Sequence, residues 1–189
     1  MRLIELHTPR LFVRNFKRKD LLAFHTYRSK PAIYKFQNFQ VEDFKGATDF
    51  IKRQMDKDSG DQGDWTQFAI VGKETKRLIG DCGIKLDIFD PGIAEFEITI
   101  SDFHQQKGYA KEVLTALLNH FFGSRDIHRV EETLDADDSK GLRLMESLGF
   151  RQEGHYIHNV LFKGKLRSEV RYGLLASEWS ITPQVAVAS

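Results

Sequence analysis

The chain has 189 residues, enough for one domain with a sizeable core, and its 41% hydrophobic and 29% charged content is that of an ordinary globular protein. A net charge of +1, from 28 basic and 27 acidic residues, excludes a general electrostatic grip on nucleic acid, which needs a basic face. Cys82 is the single cysteine, so no internal disulfide forms, no Cys/His cluster has zinc spacing, no metal is expected, and a reducing cytoplasm is the simple expectation.

The elements follow from periodicity. Thr8 to Phe16 reads as a strand, with Leu11 and Val13 alternating against Arg10, Phe12 and Arg14. Lys19-Asp20 opens a helix through about Tyr27, and Pro31 breaks the pattern. An aromatic stretch follows (Tyr34, Phe36, Phe39, Phe44), readable with Trp65 either as a lid over a substrate or as core. A second helix runs from about Val41 to Lys57, with Phe44, Ala47, Phe50, Ile51 and Met55 at helical spacing. Ser59 to Asp64 is a polar loop. Gln67 to Val71 and Arg77 to Leu86 are strands joined by a turn at Gly72 to Thr75, with Gly80 and Gly83 marking a bend or close packing. Asp90-Pro91-Gly92 is a turn leading into a strand from Ala94 to Ile100.

A third helix covers Val113 to Phe122, and Arg129 to Leu134 is a strand. Asp135 to Asp138 forms an acidic turn, Ser139 is the expected N-cap of a helix over Lys140 to Leu148, and Gly149 ends it. Phe150 to Phe162 and Leu166 to Leu175 are the last strand pair, turning at Lys163-Gly164-Lys165, and residues 181–189 are expected to be a loosely ordered tail. The order β-α-α-β-β-β-α-β-α-β-β predicts a single α/β domain over residues 1–180, a mixed and mostly antiparallel sheet flanked by helices. Met1 to Glu5 lacks the apolar run of a signal peptide, and no apolar run approaches the ~18 residues of a membrane span, so no membrane association is expected.

The most informative stretch is Gln105-Gln106-Lys107-Gly108-Tyr109-Ala110, a glycine-containing turn between a strand and an amphipathic helix. At such a junction the first helical N–H groups have no internal partner and the helix dipole adds positive character, which together make an anion site. Gly108 admits a phosphate close to the backbone and Ala110 keeps the next position small. The usual nucleoside-triphosphate loop (Gly-x-x-x-x-Gly-Lys-Ser/Thr) and the dinucleotide fingerprint (Gly-x-Gly-x-x-Gly after a first strand) do not occur.

The motif that does occur, Gln-x-x-Gly-x-Ala after an antiparallel meander, resembles the pyrophosphate loop of the GNAT acetyltransferase superfamily. Four more segments carry the resemblance in order along roughly residues 8 to 179. Thr8-Pro9-Arg10-Leu11 with Arg14 looks like the opening strand of the branch that includes ribosomal-protein N-terminal acetyltransferases. Ile79-Gly80-Asp81-Cys82-Gly83 looks like the third strand, Leu148-Gly149-Phe150 with Glu153-Gly154 like the junction after the last large helix, and Phe162-Lys163-Gly164 like the final hairpin.

The resemblance implies an acetyl-CoA-dependent N-acetyltransferase that moves an acetyl group to a primary amine by direct attack in a ternary complex. It places the CoA pyrophosphate on the N–H groups from Gln106 to Lys111, with Gln105, Gln106, Lys107, Gly108, Tyr109, Ala110 and Lys111 as the binding loop. It lays the pantetheine arm against the strand end Ile98-Thr99-Ile100, like a short extra strand. Amine acetylation needs a base, since an alkylammonium of pKa near ~10 must lose a proton before attack. Glu95 is the first candidate and Glu97, two residues on and on the same face, the second; each would raise the other's pKa. An alternative is that both bind a cationic substrate or a nearby arginine.

The pattern departs after Asp138. The branch carries Asn there, reaching the pantetheine arm, and Ser at the position of Gly141; other members carry a Tyr general acid where this chain has Met145. Asp138 accepts but, ionised, does not donate. Tyr109, His155 or Tyr156 would then have to assist the thiolate, or it leaves unassisted. A non-catalytic acyl-CoA-binding module is therefore the alternative function. The acceptor is expected to be a small amine or a protein N-terminus, and the chain a monomer or a homodimer paired through its last hairpin.

Overall fold

Alternation along Ile93–Ile100 decides the architecture. Ala94, Phe96, Ile98 and Ile100 turn to one side of the strand, and Glu95, Glu97 and Thr99 turn to the other. In the computed structural model, which describes residues 5–55, 57, 62–124 and 127–180, this strand (β5) lies at the middle of an eight-stranded sheet. The chain runs β1 (Leu6–His7), β2 (Leu11–Asn15), α1 (Leu21–Arg28), α2 (Phe44–Met55), β3 (Thr66–Gly72), β4 (Leu78–Leu86), β5 (Ile93–Ile100), α3 (Tyr109–Ser124), β6 (Arg129–Asp135), α4 (Ser139–Ser147), β7 (Arg151–Phe162) and β8 (Lys165–Leu175). Residues 181–189, expected as a loose tail, and residues 59–61 of the expected polar loop lie outside the described residues.

The expected mixed, mostly antiparallel sheet flanked by helices is what the chain forms. The strand order is β1-β2-β3-β4-β5-β6-β8-β7, with β8 inserted between β6 and β7. Every pair is antiparallel except β5 with β6, which run parallel and pair only from Ile93 with Arg129 to Glu95 with Glu131. Each face has its own core. Under α3 and α4, Val113, Leu114, Leu117, Leu118 and Phe121 pack on Phe68, Ile70, Ile84, Phe96 and Val130; each such buried side chain contributes roughly 1.5–3 kcal/mol. Under α1 and α2, Phe16, Phe24, Tyr27 and Phe50 pack on Ala69 and Val71.

The boundaries differ from the periodic expectation where capping chemistry intervenes. The first strand begins at Leu11 rather than Thr8, because Thr8 and Leu11 close a turn around Pro9, and the short β1 precedes that turn. The first helix starts at Leu21 after a 3₁₀ turn, with the Asp20 carboxylate taken by the Lys17 N–H and by Arg14. The second helix starts at Phe44, not Val41, because the Asp43 carboxylate accepts from the Gly46 N–H at 2.6 Å. The cap of α4 is Asp138 and not Ser139: its Oδ1 accepts from the Gly141 N–H at 3.1 Å.

Candidate functional site

The turn before α3 has the geometry its residues require. Gly108 sits at φ +77°, a conformation that side-chain-bearing residues adopt only under strain, and Gln106 is also at positive φ, 61°. The intrahelical bonds begin with the Glu112 N–H donating to the Gly108 carbonyl, so the N–H groups preceding it point away from the helix. Gln105 holds the turn to the sheet by donating to the Ile100 carbonyl at 3.1 Å, and Lys140 of α4 donates to the Gln105 Oε1. Lys111 instead reaches the Ser147 carbonyl at the end of α4.

Arg10 is a member of this site that composition and spacing did not mark. Its Nη1 donates to the Lys107 carbonyl at 2.9 Å, its Nε pairs with Glu112 at 2.6 Å, and its guanidinium lies 4.4 Å from the centre of the Tyr109 ring. Thr8 and the Arg10 N–H also bond to the Glu112 carboxylate. The strand-opening segment thus clamps the loop from 97 to 104 residues away, and a Cβ on Gly108 would stand 3.5 Å from the Arg10 guanidinium.

Beyond Glu95 the β5–β6 ladder stops, and β5 has an open edge. Asp87 donates to the Ile93 carbonyl and Ser101 donates to the Ile79 carbonyl, so the odd-numbered residues of β5 bond to β4. The backbone groups of Phe96, Ile98 and Ile100 therefore face the slot between β5 and β6. The Glu132 carboxylate accepts from the Phe96 N–H and Gln105 takes the Ile100 carbonyl, which leaves Ile98 as the paired donor and acceptor on that edge. Thr99 contributes otherwise: its backbone belongs to the β4 ladder and its hydroxyl bonds to Gln37 at 2.9 Å.

The opposite face carries the two expected carboxylates, Glu95 and Glu97, side by side at the start of the slot. They differ in environment. Glu95 pairs with Lys85 at 2.6 Å and stands beside Glu131, which Arg129 and Arg171 hold below the usual carboxylate range against the cost of its burial. Glu97 has no ion pair among the described residues; the Gln67 amide donates to it. Burial pushes the Glu97 carboxyl up, Arg28 opposes and Asp81 adds to the rise. The expected mutual repulsion of Glu95 and Glu97 is thus not the leading cause. Gly83 makes this contact possible, since a Cβ there would meet Gln67 at 2.4 Å and Glu97 at 2.8 Å. Behind them a buried network fixes the floor: Asp81 accepts from Tyr27 and from two nitrogens of Arg28, which also donates to Gln37.

The remaining candidates fall elsewhere. Asp138 caps α4, and a Cβ at Gly141 would stand 2.7 Å from its carboxylate, so the two departures from the family pattern fit each other. Met145 is buried core. Tyr109 is engaged by Arg10, and His155 and Tyr156 lie on the exposed edge strand β7. Cys82 is fully buried, and burial pushes its thiol up. The aromatic stretch divides: Phe39 packs with Phe24 and Phe50, while Tyr34 and Phe36 stand at the surface beside the β7–β8 turn. Among the described residues no three His, Cys, Asp or Glu side chains are grouped to hold a metal, and no helix is long and apolar enough to cross a membrane.

Comparison with known proteins gives a consistent picture. Residues 10–151 match the family described as the acetyltransferase (GNAT) domain. An uncharacterised N-acetyltransferase, p20, from Bacillus licheniformis is 30% identical over 176 residues, covering 93% of this chain and 98% of that protein. The spermidine N(1)-acetyltransferase of Vibrio cholerae is 29% identical over 86 residues, 46% of this chain and 50% of that one. Among solved structures, a GNAT-family acetyltransferase from Bacillus anthracis superposes with a TM-score of 0.83 at 23% identity, covering 93% of this chain and all of that one. The Vibrio cholerae spermidine N-acetyltransferase in complex with CoA and spermine superposes with a TM-score of 0.74 at 23% identity, over 89% and 96% of the two chains.

Proposed function

The chain belongs to the GNAT acetyltransferase family, and on that premise we propose that it transfers the acetyl group of acetyl-CoA to the primary amine of a small molecule, by direct attack within a ternary complex. One observation carries this reading. An outward-facing set of loop amides and an open strand edge lead to Glu97, a buried carboxylate without an ion pair among the described residues whose pKa burial raises.

The residues divide the work. The N–H groups of Gln106 to Lys111, with Lys107 beside them, hold the pyrophosphate, and Arg10 keeps the loop in shape. Ile98 offers its N–H and carbonyl to the pantetheine amides, and Ile100 extends the same edge. Acetyl-CoA supplies the activated acyl thioester when bound. Glu97 then takes the proton of the alkylammonium, freeing the nitrogen lone pair for attack as the carbon–sulfur bond breaks. A carboxylate whose pKa burial raises suits that task better than Glu95, whose carboxylate is taken up by an ion pair with Lys85. The Gln67 amide serves both states of Glu97. Its NH₂ donates to the carboxylate, and its Oε1, buried with no partner in the present orientation, accepts from the protonated acid when the amide turns over.

The Thr8 to Arg14 signature supports kinship with the ribosomal-protein N-terminal acetyltransferase branch. The relatives named for an acceptor are spermidine acetyltransferases, and we take a small amine rather than a protein N-terminus as the acceptor class. Asp138 in its cap keeps one carboxylate oxygen for the arm, as an acceptor. Cys82, single and reduced, suits the cytoplasm. The absence of a general acid at Gly141 and Met145 favours the second reading, a non-catalytic acyl-CoA-binding module. Calorimetry with CoA and a thiol-release assay over a panel of amines separate the two: binding with acetyl-CoA-dependent thiol release supports the enzyme, binding without release on any amine supports the module, and no CoA binding removes both.

A further inference from the structure

The segment joining α1 to α2 roofs the slot and is tied down on both sides of it. On the β5 side, Lys30 pairs with Asp102 at 2.7 Å and Gln37 bonds to Thr99. On the other side, Lys163 of the β7–β8 turn donates to the Tyr34 carbonyl at 2.6 Å, and the Phe36 ring lies 5.8 Å from the guanidinium of Arg167. Between roof and hairpin is an open pocket of about 200 Å³ lined by Lys35, Phe36, Phe162, Lys163, Lys165 and Arg167. Four of these six residues are cations and none is a carboxylate.

Arg167 is held by Asp135 at 2.7 Å and Asp137 at 2.9 Å, which fixes its guanidinium. Lys35, Lys163 and Lys165 have no ion pair among the described residues; Lys35 is within electrostatic range of Asp135, and Lys163 donates to a backbone carbonyl. The pocket is tied to the face that carries Glu97. Gln37, next to Phe36, bonds to Thr99, and Thr99 and Glu97 lie on one face two residues apart. The path from the edge of the pocket to Glu97 is one peptide step, one side-chain hydrogen bond and two strand residues. One end of the site is therefore a carboxylate facing an ammonium, and the other end is basic.

We propose that the acceptor is a small amine carrying an anionic group, a carboxylate or a phosphate, which lies among Lys35, Lys163, Lys165 and Arg167 while its amine reaches Glu97. The proposal rests on the acyl-transfer reading and narrows its substrate class. A polyamine, cationic at both ends, would place its far ammonium against these lysines; like charges at that range oppose binding. The aromatic rings of Phe36 and Phe162 form walls against which a short methylene spacer packs.

The test compares acceptors matched in length on the protein–CoA complex by calorimetry: pentylamine, 5-aminopentanoate and 1,5-diaminopentane, with 3-aminopropanol and 3-aminopropyl phosphate as a second set. 5-Aminopentanoate is expected to bind at least about tenfold tighter than pentylamine and 1,5-diaminopentane, and 3-aminopropyl phosphate at least about tenfold tighter than 3-aminopropanol, in keeping with one or two charge-assisted hydrogen bonds. Inorganic phosphate should displace both, and the advantage should shrink with added salt. In Lys35→Gln/Lys165→Gln, which removes exposed side chains without ion pairs, the preference should fall toward unity; which set shows the larger preference separates carboxylate from phosphate. Equal binding within both sets, or tighter binding of the diamine, overturns the proposal. Failure of CoA itself to bind removes the acyl-transfer reading instead, so the two failures are distinguishable.

Discussion

The two ends of the slot are built from different material. The end proposed for CoA is made of backbone: amides at a helix start, a glycine at positive φ and the unpaired edge of β5. The end proposed for the acceptor is made of side chains converging from α1, β3, β4, β5 and the β7–β8 hairpin, with Gln67 on Glu97, Arg28 on Asp81 and Lys163 on Tyr34. A backbone site recognises a feature common to many ligands and tolerates drift in the surrounding side chains. A side-chain site changes its ligand with one or two substitutions. The same fold therefore keeps one cosubstrate and exchanges the other.

The contrast can be broken most directly at Gly108. Gly108→Val forces a β-branched residue to φ +77° and puts a methyl group over the loop amides, so acetyl-CoA affinity measured by calorimetry should fall about 100-fold or more; Gly108→Ala should fall less. An unchanged affinity would mean the phosphates lie elsewhere. On the acceptor side, Glu97→Gln should lower kcat by about 10²- to 10⁴-fold with acetyl-CoA affinity within about twofold. With Glu97 as the proposed base, active only when deprotonated, kcat of the native protein should fall as pH drops through its raised pKa. The variant should lose that acidic limb. Glu95→Gln should change kcat by less than about tenfold; the reverse ranking would make Glu95 the base.

Arg10→Ala keeps every loop amide but removes its clamp. Acetyl-CoA should bind about tenfold more weakly, and the loss should be larger for CoA than for an acceptor titrated into the complex. The smallest expected effect is at Asp138. Asp138→Ala removes an N-cap worth ~1 kcal/mol, seen as a Tm lower by about 2–4 °C. If CoA affinity falls beyond about threefold as well, the free oxygen of Asp138 is a pantetheine ligand in addition to a cap.

The same division explains what could be read beforehand. The six residues Gln105 to Ala110 encode their own geometry locally, so the loop was legible with its correct flanking strand and helix. The sheet pattern was legible because alternation in β5 marks two faces within eight residues. The choice between Glu95 and Glu97 was not, since it depends on Lys85 taking one and Gln67, thirty residues earlier, taking the other. Arg10 carried a family signature but no visible role, because its partner Glu112 lies 102 residues away. Helix starts moved by one to three residues wherever an aspartate side chain, at Asp20, Asp43 or Asp138, captured an amide that periodicity does not see.

Glu132 has a consequence for the timing of binding. Its buried carboxylate, pushed toward the neutral form by burial, occupies the Phe96 amide at the point where the parallel ladder would otherwise continue. It acts as a wedge that keeps the two half-sheets from zipping together. A zipped seam would have to be torn open, residue by residue, at every turnover. On the proposed reading, a pantetheine arm meets an edge that Glu132 already holds clear of ladder bonds.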